Sequence, residues 1–117
     1  MIARIRIDKA LPSLANARLH WALKAKVVKA QRVEVMTRWL CLPLADRRRP
    51  VARVVFVRTS PRQLDDDNLA SAFKGVRDEV ASLLGVSDAP GGPVQWRYEQ
   101  RKGKPGFEVE FWAEVAK

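Results

Sequence analysis

Three consecutive aspartates, Asp65, Asp66 and Asp67, stand directly before a predicted helix in a chain that is otherwise strongly basic. An aspartate at a helix N-cap accepts a hydrogen bond from a free backbone N–H, and carboxylates in the first turn complement the helix dipole, contributing about 1 kcal/mol. One aspartate is enough for capping. Three neighbouring carboxylates repel each other, and a hard divalent cation bound by oxygen relieves that repulsion. The sequence therefore leaves two alternatives, capping alone and capping combined with metal binding.

The helix that follows places an amine near these carboxylates. At 100° per residue, a helix beginning near Asp67 puts Ser71, Lys74 and Asp78 within roughly 60° of it on the polar face. A bound cation could stabilise charge on a scissile phosphate while Lys74 neutralises a developing negative oxygen. The alternative for Lys74 is a surface ion pair with Asp78, four residues on, which contributes a few tenths of a kcal/mol.

Net charge narrows the class of partner. The chain has 22 Lys and Arg against 13 Asp and Glu, a formal net charge of +9 in 117 residues. Such an excess favours a polyanion, nucleic acid above all, over a merely soluble basic protein. No apolar run approaches the roughly 20 residues of a membrane span, and the first residues lack the apolar centre of a signal peptide. We therefore expect a cytoplasmic protein with no membrane partner.

Periodicity predicts one α/β domain over residues 1–117, with elements in the order β-α-β-α-β-β, a mixed sheet and two helices. The single cysteine, Cys41, lies in an apolar stretch and is expected to pack in the core. The predicted elements are a strand at 2–8, a helix at 17–40, an exposed basic loop at 42–50, an interior strand at 51–57, a helix ending before Gly85, and a hairpin of strands 94–101 and 107–113.

The long helix carries two apolar stripes on opposite sides. One stripe consists of Leu19, Leu23, Ala30, Val33 and Leu40. The other consists of Trp21, Val28, Val35 and Trp39. The sheet of one subunit covers only one side, so the second stripe predicts a homodimer interface. The alternative is that the chain's own C-terminal segment crosses this second stripe.

The acidic segment and the helix that follows it resemble part of a known protein family. The string at residues 64–69, followed by an apolar-faced helix and the segment 84–88, resembles the Asp-x-Asp-Asn helix and downstream acidic residue of RusA-like Holliday junction resolvases. Asp65, Asp67 and Asn68 match the motif directly. The similarity runs from the first strand to the last, but the specific motif is short, and order and context carry most of it.

The resemblance implies roles for further residues. It makes Asp88, in the loop after the helix, a third metal-binding carboxylate beside Asp65 and Asp67, with Asp66 and Asn68 in support. The family's lysine position holds Ser71 in this chain, and Lys74 stands three residues further on. Lys74 is therefore the candidate for the catalytic role of that lysine.

The activity implied by the resemblance is structure-selective cleavage of DNA. A homodimer would use Mg²⁺, with Mn²⁺ as a substitute, to nick two symmetry-related strands of a four-way junction or other branched DNA. The alternative is a catalytically degenerate DNA-binding or assembly protein of the same fold. An RNA-binding module is disfavoured, because no exposed aromatic pair has recognisable stacking-motif spacing, although Trp96 and Tyr98 alternate along a predicted strand.

Basic residues in predicted loops are candidates for phosphate contacts that position the junction without reading its bases. These candidates are Arg47, Arg48, Arg49, Arg62, Arg101, Lys102 and Lys104.

Overall fold

The computed structural model describes residues 1–12 and 21–113. Within these residues it confirms an α/β domain with a mixed four-stranded sheet, and these residues form four helices where two were predicted for the whole chain. The elements are β1 (Ala3–Ile7), α1 (Trp21–Leu40), α2 (Leu44–Arg47), β2 (Arg53–Thr59), α3 (Asp66–Ala72), α4 (Lys74–Leu84), β3 (Gln95–Arg101) and β4 (Gly106–Trp112).

The strand β2 lies inside the sheet, as its sequence predicts. Its residues 54–57 are apolar on both faces and all four are buried. Neighbours on both sides are therefore needed to satisfy its backbone, and β2 pairs antiparallel with β4 and parallel with β3. The sheet order is β1-β4-β2-β3, so that β1 and β3 are the two edges.

The predicted hairpin of the last two strands is wrong, because β2 lies between β3 and β4. The connection at 102–105 passes the end of β2, where the N–H of Ser60 donates to the carbonyl of Arg101 at 3.1 Å and the N–H of Gly103 donates to that of Ser60 at 3.4 Å. A Cβ at Gly103 would lie 3.0 Å from Cγ2 of Thr59, so the close approach favours glycine. Two alternating runs joined by a short Gly–Pro segment indicate antiparallel strands that follow each other in the chain. They do not reveal that a third strand lies between the two in the sheet.

The helix predicted after the aspartates is divided into α3 and α4 at Phe73. Phe73 is fully buried, with its ring centroid 5.2 Å from that of Phe56 and 6.0 Å from that of Tyr98. Gly85 ends α4 in the left-handed conformation, with φ of 67°, as predicted. The segment predicted as a basic loop contains the short helix α2.

The two stripes of α1 were assigned to the wrong partners. Val35 is completely buried, and Trp39, 7% exposed, packs its ring 5.0 Å from that of Phe111 in the chain's own sheet. Val28 lies against Gly75 of α4. Val35 and Trp39 therefore face the chain's own core and Val28 packs against α4, so these three side chains do not form a dimer interface, whereas Trp21 is 74% exposed. Periodicity identifies a stripe, but the two stripes are equally apolar and nothing in their spacing says which one faces inward.

The opposite stripe is on the surface. Leu23, Val33 and Leu40 are half-exposed, Ala30 is exposed, and Leu19 lies outside the described residues. Cys41, predicted in the core, is exposed, since it follows the last residue of α1. Within the residues that the structure describes, no helix is long and apolar enough to cross a membrane.

The contact between α1 and α4 generates a stability prediction. A Cβ on Gly75 would lie 2.6 Å from Cγ1 of Val28, and a valine has little rotamer freedom in a helix. We expect Gly75→Val to lower the free energy of unfolding by about 2 kcal/mol through overpacking. Chemical denaturation measures the loss. The control is Ser82→Val at an exposed position of α4, and an equal loss in both variants would contradict close packing at Gly75.

Candidate nucleic-acid interface

Asp65 is the N-cap of α3. Its extended backbone lets Oδ1 accept the N–H of Asn68 at 2.8 Å, while its carbonyl accepts the N–H of Leu69 at 2.9 Å. Asp66 and Asp67 follow in the first turn with exposed side chains. The capping function proposed for one aspartate is thus confirmed for Asp65, and Asp66 and Asp67 are not needed for it.

The side chain of Gln100 fixes the entry to this helix. Its amide accepts the N–H of Leu64 at 2.8 Å and donates to the carbonyl of Leu64 at 2.7 Å. Two reciprocal hydrogen bonds tie the segment before Asp65 to the edge strand β3. Sequence reasoning missed Gln100, because a glutamine in an alternating strand gives no signal of its partner.

Lys74 forms the surface ion pair that was the alternative for it. Its Nζ lies 3.7 Å from Oδ2 of Asp78, and its side chain is 80% exposed. Exposed pairs of this kind contribute a few tenths of a kcal/mol. Lys74 also begins α4, after the interruption at Phe73, so the continuous helix assumed for its alignment with Asp67 is not present.

Asp88 is held by Arg77. The guanidinium of Arg77 donates through Nη2 to the carbonyl of Asp88, and its Nε lies 3.5 Å from Oδ2 of the same residue. Its Nη1 donates to the hydroxyl of Tyr98 at 2.8 Å, and the guanidinium lies 4.9 Å from the ring centroid of Trp96. One arginine therefore joins α4, the loop after it and β3.

Arg77 was not among the predicted site residues. Its sequence signal is weak: it is a basic residue directly after Val76 on the apolar side of a helix, where long cationic side chains often only cover the core. Its partners Asp88, Trp96 and Tyr98 are 11 to 21 residues away in the chain. They become visible only in the folded structure.

The carboxylates do not form the predicted three-ligand cluster. Among residues 1–12 and 21–113, no group of three or more His, Cys, Asp or Glu side chains is placed to hold a metal ion. Asp65 uses one oxygen for its cap, and Asp88 is paired with Arg77. The described arrangement of Asp65, Asp67 and Asp88 does not fit a site in which all three bind one Mg²⁺.

Three grooves adjoin one another on this side of the protein. The acidic groove, about 390 Å³, is lined by Asp66, Leu69 and residues 96–99. The loop groove, about 620 Å³, is lined by Arg77, residues 89–92 and residues 94–97. The arginine groove, about 370 Å³, is lined by residues 47–51, Leu83, Leu84, Val86 and Val94.

Neighbouring grooves share lining residues. Val94 lines both the arginine and the loop grooves, while Trp96 and Arg97 line both the loop and the acidic grooves. Arg97, exposed on β3, is a third residue that sequence reasoning missed, after Gln100 and Arg77, since it lies in a strand and not in a loop. The three grooves therefore form a row from the predicted arginine run to Asp66, the aspartate that lines the acidic groove.

The predicted phosphate-binding residues differ in how free their charges are. Arg48 and Arg49 are exposed, while Arg47 donates through Nε to the carbonyl of Leu42 at 3.2 Å. Arg101 is the last residue of β3, and its guanidinium lies between 3.6 and 4.0 Å from three carboxylates. These carboxylates partly neutralise its charge, so it is less available to bind phosphates. These carboxylates belong to Glu99, Glu108 and Glu110.

The remaining basic candidates are on the surface. Lys102 and Lys104 are exposed in the β3–β4 connection. Arg62 is exposed, and its carbonyl accepts Nη1 of Arg58 at 2.8 Å. Burial lowers the pKa of Arg58, which stays protonated at neutral pH because arginine titrates so far above it. The exposed side chains of Arg62, Lys102 and Lys104 do not line the acidic, loop or arginine groove.

The comparisons with known proteins give one relative. A protein of Xylella fastidiosa (strain Temecula1 / ATCC 700964), described as an uncharacterized protein, is 38% identical over 78 residues, which covers 62% of this chain and 51% of that protein. The chain thus spans about half the length of this relative. No family model and no solved structure matches the chain.

The contacts of Arg77 predict that it stabilises the wall of the loop groove. We expect Arg77→Met to lower the free energy of unfolding by about 2 kcal/mol, since it removes charged hydrogen bonds to Asp88 and Tyr98. Hydrogen exchange at residues 88–93 should accelerate as well. The control is Lys74→Met on the exposed side of the same helix, and unchanged exchange in Arg77→Met would show that this arginine does not hold the loop.

Proposed function

We propose that this protein is a Mg²⁺-dependent, structure-selective endodeoxyribonuclease of the RusA-like Holliday junction resolvase type, acting on branched DNA as a homodimer. The observation that supports it best is the row of grooves with shared lining residues that leads from Arg47–Arg49, past Arg77 and Arg97, to Asp66 of α3. Phosphates of a duplex arm need cationic side chains along a path, and cleavage needs acidic side chains at its end.

The residues along this path have distinct tasks in the proposal. Arg48 and Arg49, both exposed, bind phosphates and hold the duplex arm in register. Arg97 adds a cation next to the acidic groove. Asp66 and Asp67 offer carboxylate oxygens, the ligands that Mg²⁺ prefers, and the ion when bound supplies charge stabilisation at the scissile phosphate.

A second candidate is a DNA-binding or assembly protein that has this fold and does not cleave. The pairing of Asp88 with Arg77 favours it, because a guanidinium that holds the carboxylate competes with a metal for the same oxygens. The exposed ion pair of Lys74 with Asp78 favours it too. This candidate retains the phosphate path and differs from the first only in turnover.

The cleavage assay separates these candidates. We expect the wild-type protein to nick a labelled four-way junction in Mg²⁺ but not in chelator, and to act less on linear duplex and single strands. Asp67→Asn should abolish nicking and leave junction binding intact, since a carboxylate that contributes mainly in the transition state affects turnover and not affinity.

The matched control is Glu34→Gln, which removes one negative charge from α1, away from the grooves. Undiminished nicking by Asp67→Asn would remove the aspartates from the catalytic role. Junction binding without nicking by the wild-type protein would select the second candidate. A gain in thermal midpoint with Mg²⁺ that is lost in Asp67→Asn would show separately that the acidic segment binds the ion.

A salt titration tests the arginine groove. Replacing Arg47, Arg48 and Arg49 by alanine should weaken binding to junction and duplex alike, because phosphates are common to both. Each lost phosphate contact reduces the slope of log K against log salt by about 0.9, so the loss of three contacts reduces this slope by up to about 2.7.

The control for this triple variant removes the same charge elsewhere. Lys26, Lys29 and Arg38 are exposed on α1 and line none of the three grooves. Their triple alanine variant should keep a slope closer to that of the wild type. Equal slopes in both triple variants would show that binding depends on overall charge and not on the arginine groove.

A further inference from the structure

A cavity of about 180 Å³ lies between the end of β1 and the middle of α1, and we call it the β1–α1 cavity. Its most buried lining residues are Ile7 of β1 and Phe107 of β4, which face each other in the sheet and are 1% and 2% exposed. None of the described residues that line it also lines the acidic, loop or arginine groove. The proposed function therefore does not use this cavity.

One wall of the β1–α1 cavity is a single face of α1. The helix contributes four lining residues at the i, i+3, i+4 and i+7 spacing that places side chains on one side of a helix. These residues are Val27, Ala30, Gln31 and Glu34. Ala30 on the helix and Ala10 on the segment after β1 are both lining residues with short side chains, so they leave space that larger side chains would fill.

The β1–α1 cavity has one charged side chain of each sign in its lining. Nζ of Lys9 lies 3.3 Å from Oε1 of Glu34. The side chain of Lys9 is 71% exposed, and exposed ion pairs contribute little, so each charge can exchange its partner for a charge of a ligand. A ligand with one charge would be attracted by one of these groups and repelled by the other, whereas a zwitterion would be attracted by both.

A glutamine without a partner for its oxygen accompanies Glu34 on the same helix face. Gln31 lines the cavity, and its Oε1 is buried with no hydrogen-bond partner among the described residues. Buried acceptors are nearly always bonded in proteins. An ammonium group has three N–H donors, so it can donate to both Glu34 and Gln31, whereas a carboxylate donates to neither. The α1 side of the cavity therefore favours the cationic end of a ligand.

We propose that the β1–α1 cavity binds a free α-amino acid with an apolar side chain. The side chain of the ligand lies against Ile7, Val27 and Phe107, its carboxylate pairs with Lys9, and its ammonium group pairs with Glu34. An apolar cavity of about 150 Å³ holds a benzene molecule. The volume of about 180 Å³ therefore accepts the side chain of leucine or phenylalanine.

The ends of a peptide have only half of this chemistry. A peptide N-terminus offers an ammonium group without a carboxylate beside it, and a peptide C-terminus offers a carboxylate without an ammonium group. Each would leave one of Lys9 and Glu34 without a new partner. The free amino acid is the ligand whose two adjacent charges match both residues.

Titration with matched ligands tests the proposal, with the methyl NMR signals of Ile7 and Val27 as the readout. L-leucine should bind the wild-type protein with a dissociation constant of about 1 mM or lower. L-leucinamide, which lacks the carboxylate, and N-acetyl-L-leucine, which lacks the ammonium group, should each bind about tenfold more weakly or worse, since each loses one charged contact. Glycine, which has no apolar side chain, should leave the signals unchanged. No binding of L-leucine, or equal binding of L-leucine and either derivative, would overturn the proposal.

Substitutions assign each charge of the ligand to its residue. Lys9→Gln should remove the preference for L-leucine over L-leucinamide, and Glu34→Gln should remove the preference over N-acetyl-L-leucine. Lys29→Gln, at an exposed position of α1 that does not line the cavity, should keep both preferences.

Filling the cavity gives a further test. Ala30→Leu should abolish binding of L-leucine while the circular dichroism spectrum stays that of the wild type, because the new side chain occupies the space of the ligand. A preference that survives the corresponding charge variant, or full affinity in a folded Ala30→Leu protein, would contradict binding in this cavity. These measurements involve neither DNA nor metal, so their outcome is independent of the proposed endonuclease function.

Discussion

Burial of β2 on both of its faces is the constraint on which the rest of the structure depends. Residues 54–57 have no polar face to offer water, so the strand needs a partner on each side and cover above and below. β4 lies on one side of β2, and β3 lies on the other side, at the edge of the sheet. The position of β3 in turn makes it the wall of two grooves and leaves its outer backbone groups unpaired by any described strand.

A single guanidinium then organises the surface beside that edge. Arg77 is held between Tyr98, Trp96 and the loop at Asp88, so α4, the loop and β3 are fixed relative to each other. The loop groove keeps its shape because these contacts are charged, partly buried and mutually oriented. The same arginine pairs with the carboxylate of Asp88, which the resemblance to RusA-like resolvases assigns to metal binding.

Sequence reasoning succeeded where a single property decided the outcome. Apolar residues on both faces of residues 54–57 predicted an interior strand, Gly85 predicted a helix end, and Asp65 predicted a cap. It failed where the outcome depended on a comparison between two surfaces. The stripes of α1 are similar in apolar character, so the buried pair Val35 and Trp39 was assigned to a second chain.

The functional site was predicted only in part, because some of its contacts join residues that are distant in the chain. The acidic segment and the arginine run are visible as local clusters, and the structure connects them through shared groove walls. Arg77 and Arg97 were missed, because their importance comes from partners distant in the chain. The interruption at Phe73 was missed as well, since helix propensity does not register the packing of one buried ring against three others.

Hydrogen exchange with and without a bound four-way junction tests the central claim most directly. The account predicts slower exchange at residues 47–51 and 86–94, the walls of the arginine and loop grooves, and no change along the exposed face of α1. Protection confined to residues 102–105 or to α1, with the groove walls unchanged, would contradict the proposed path for DNA.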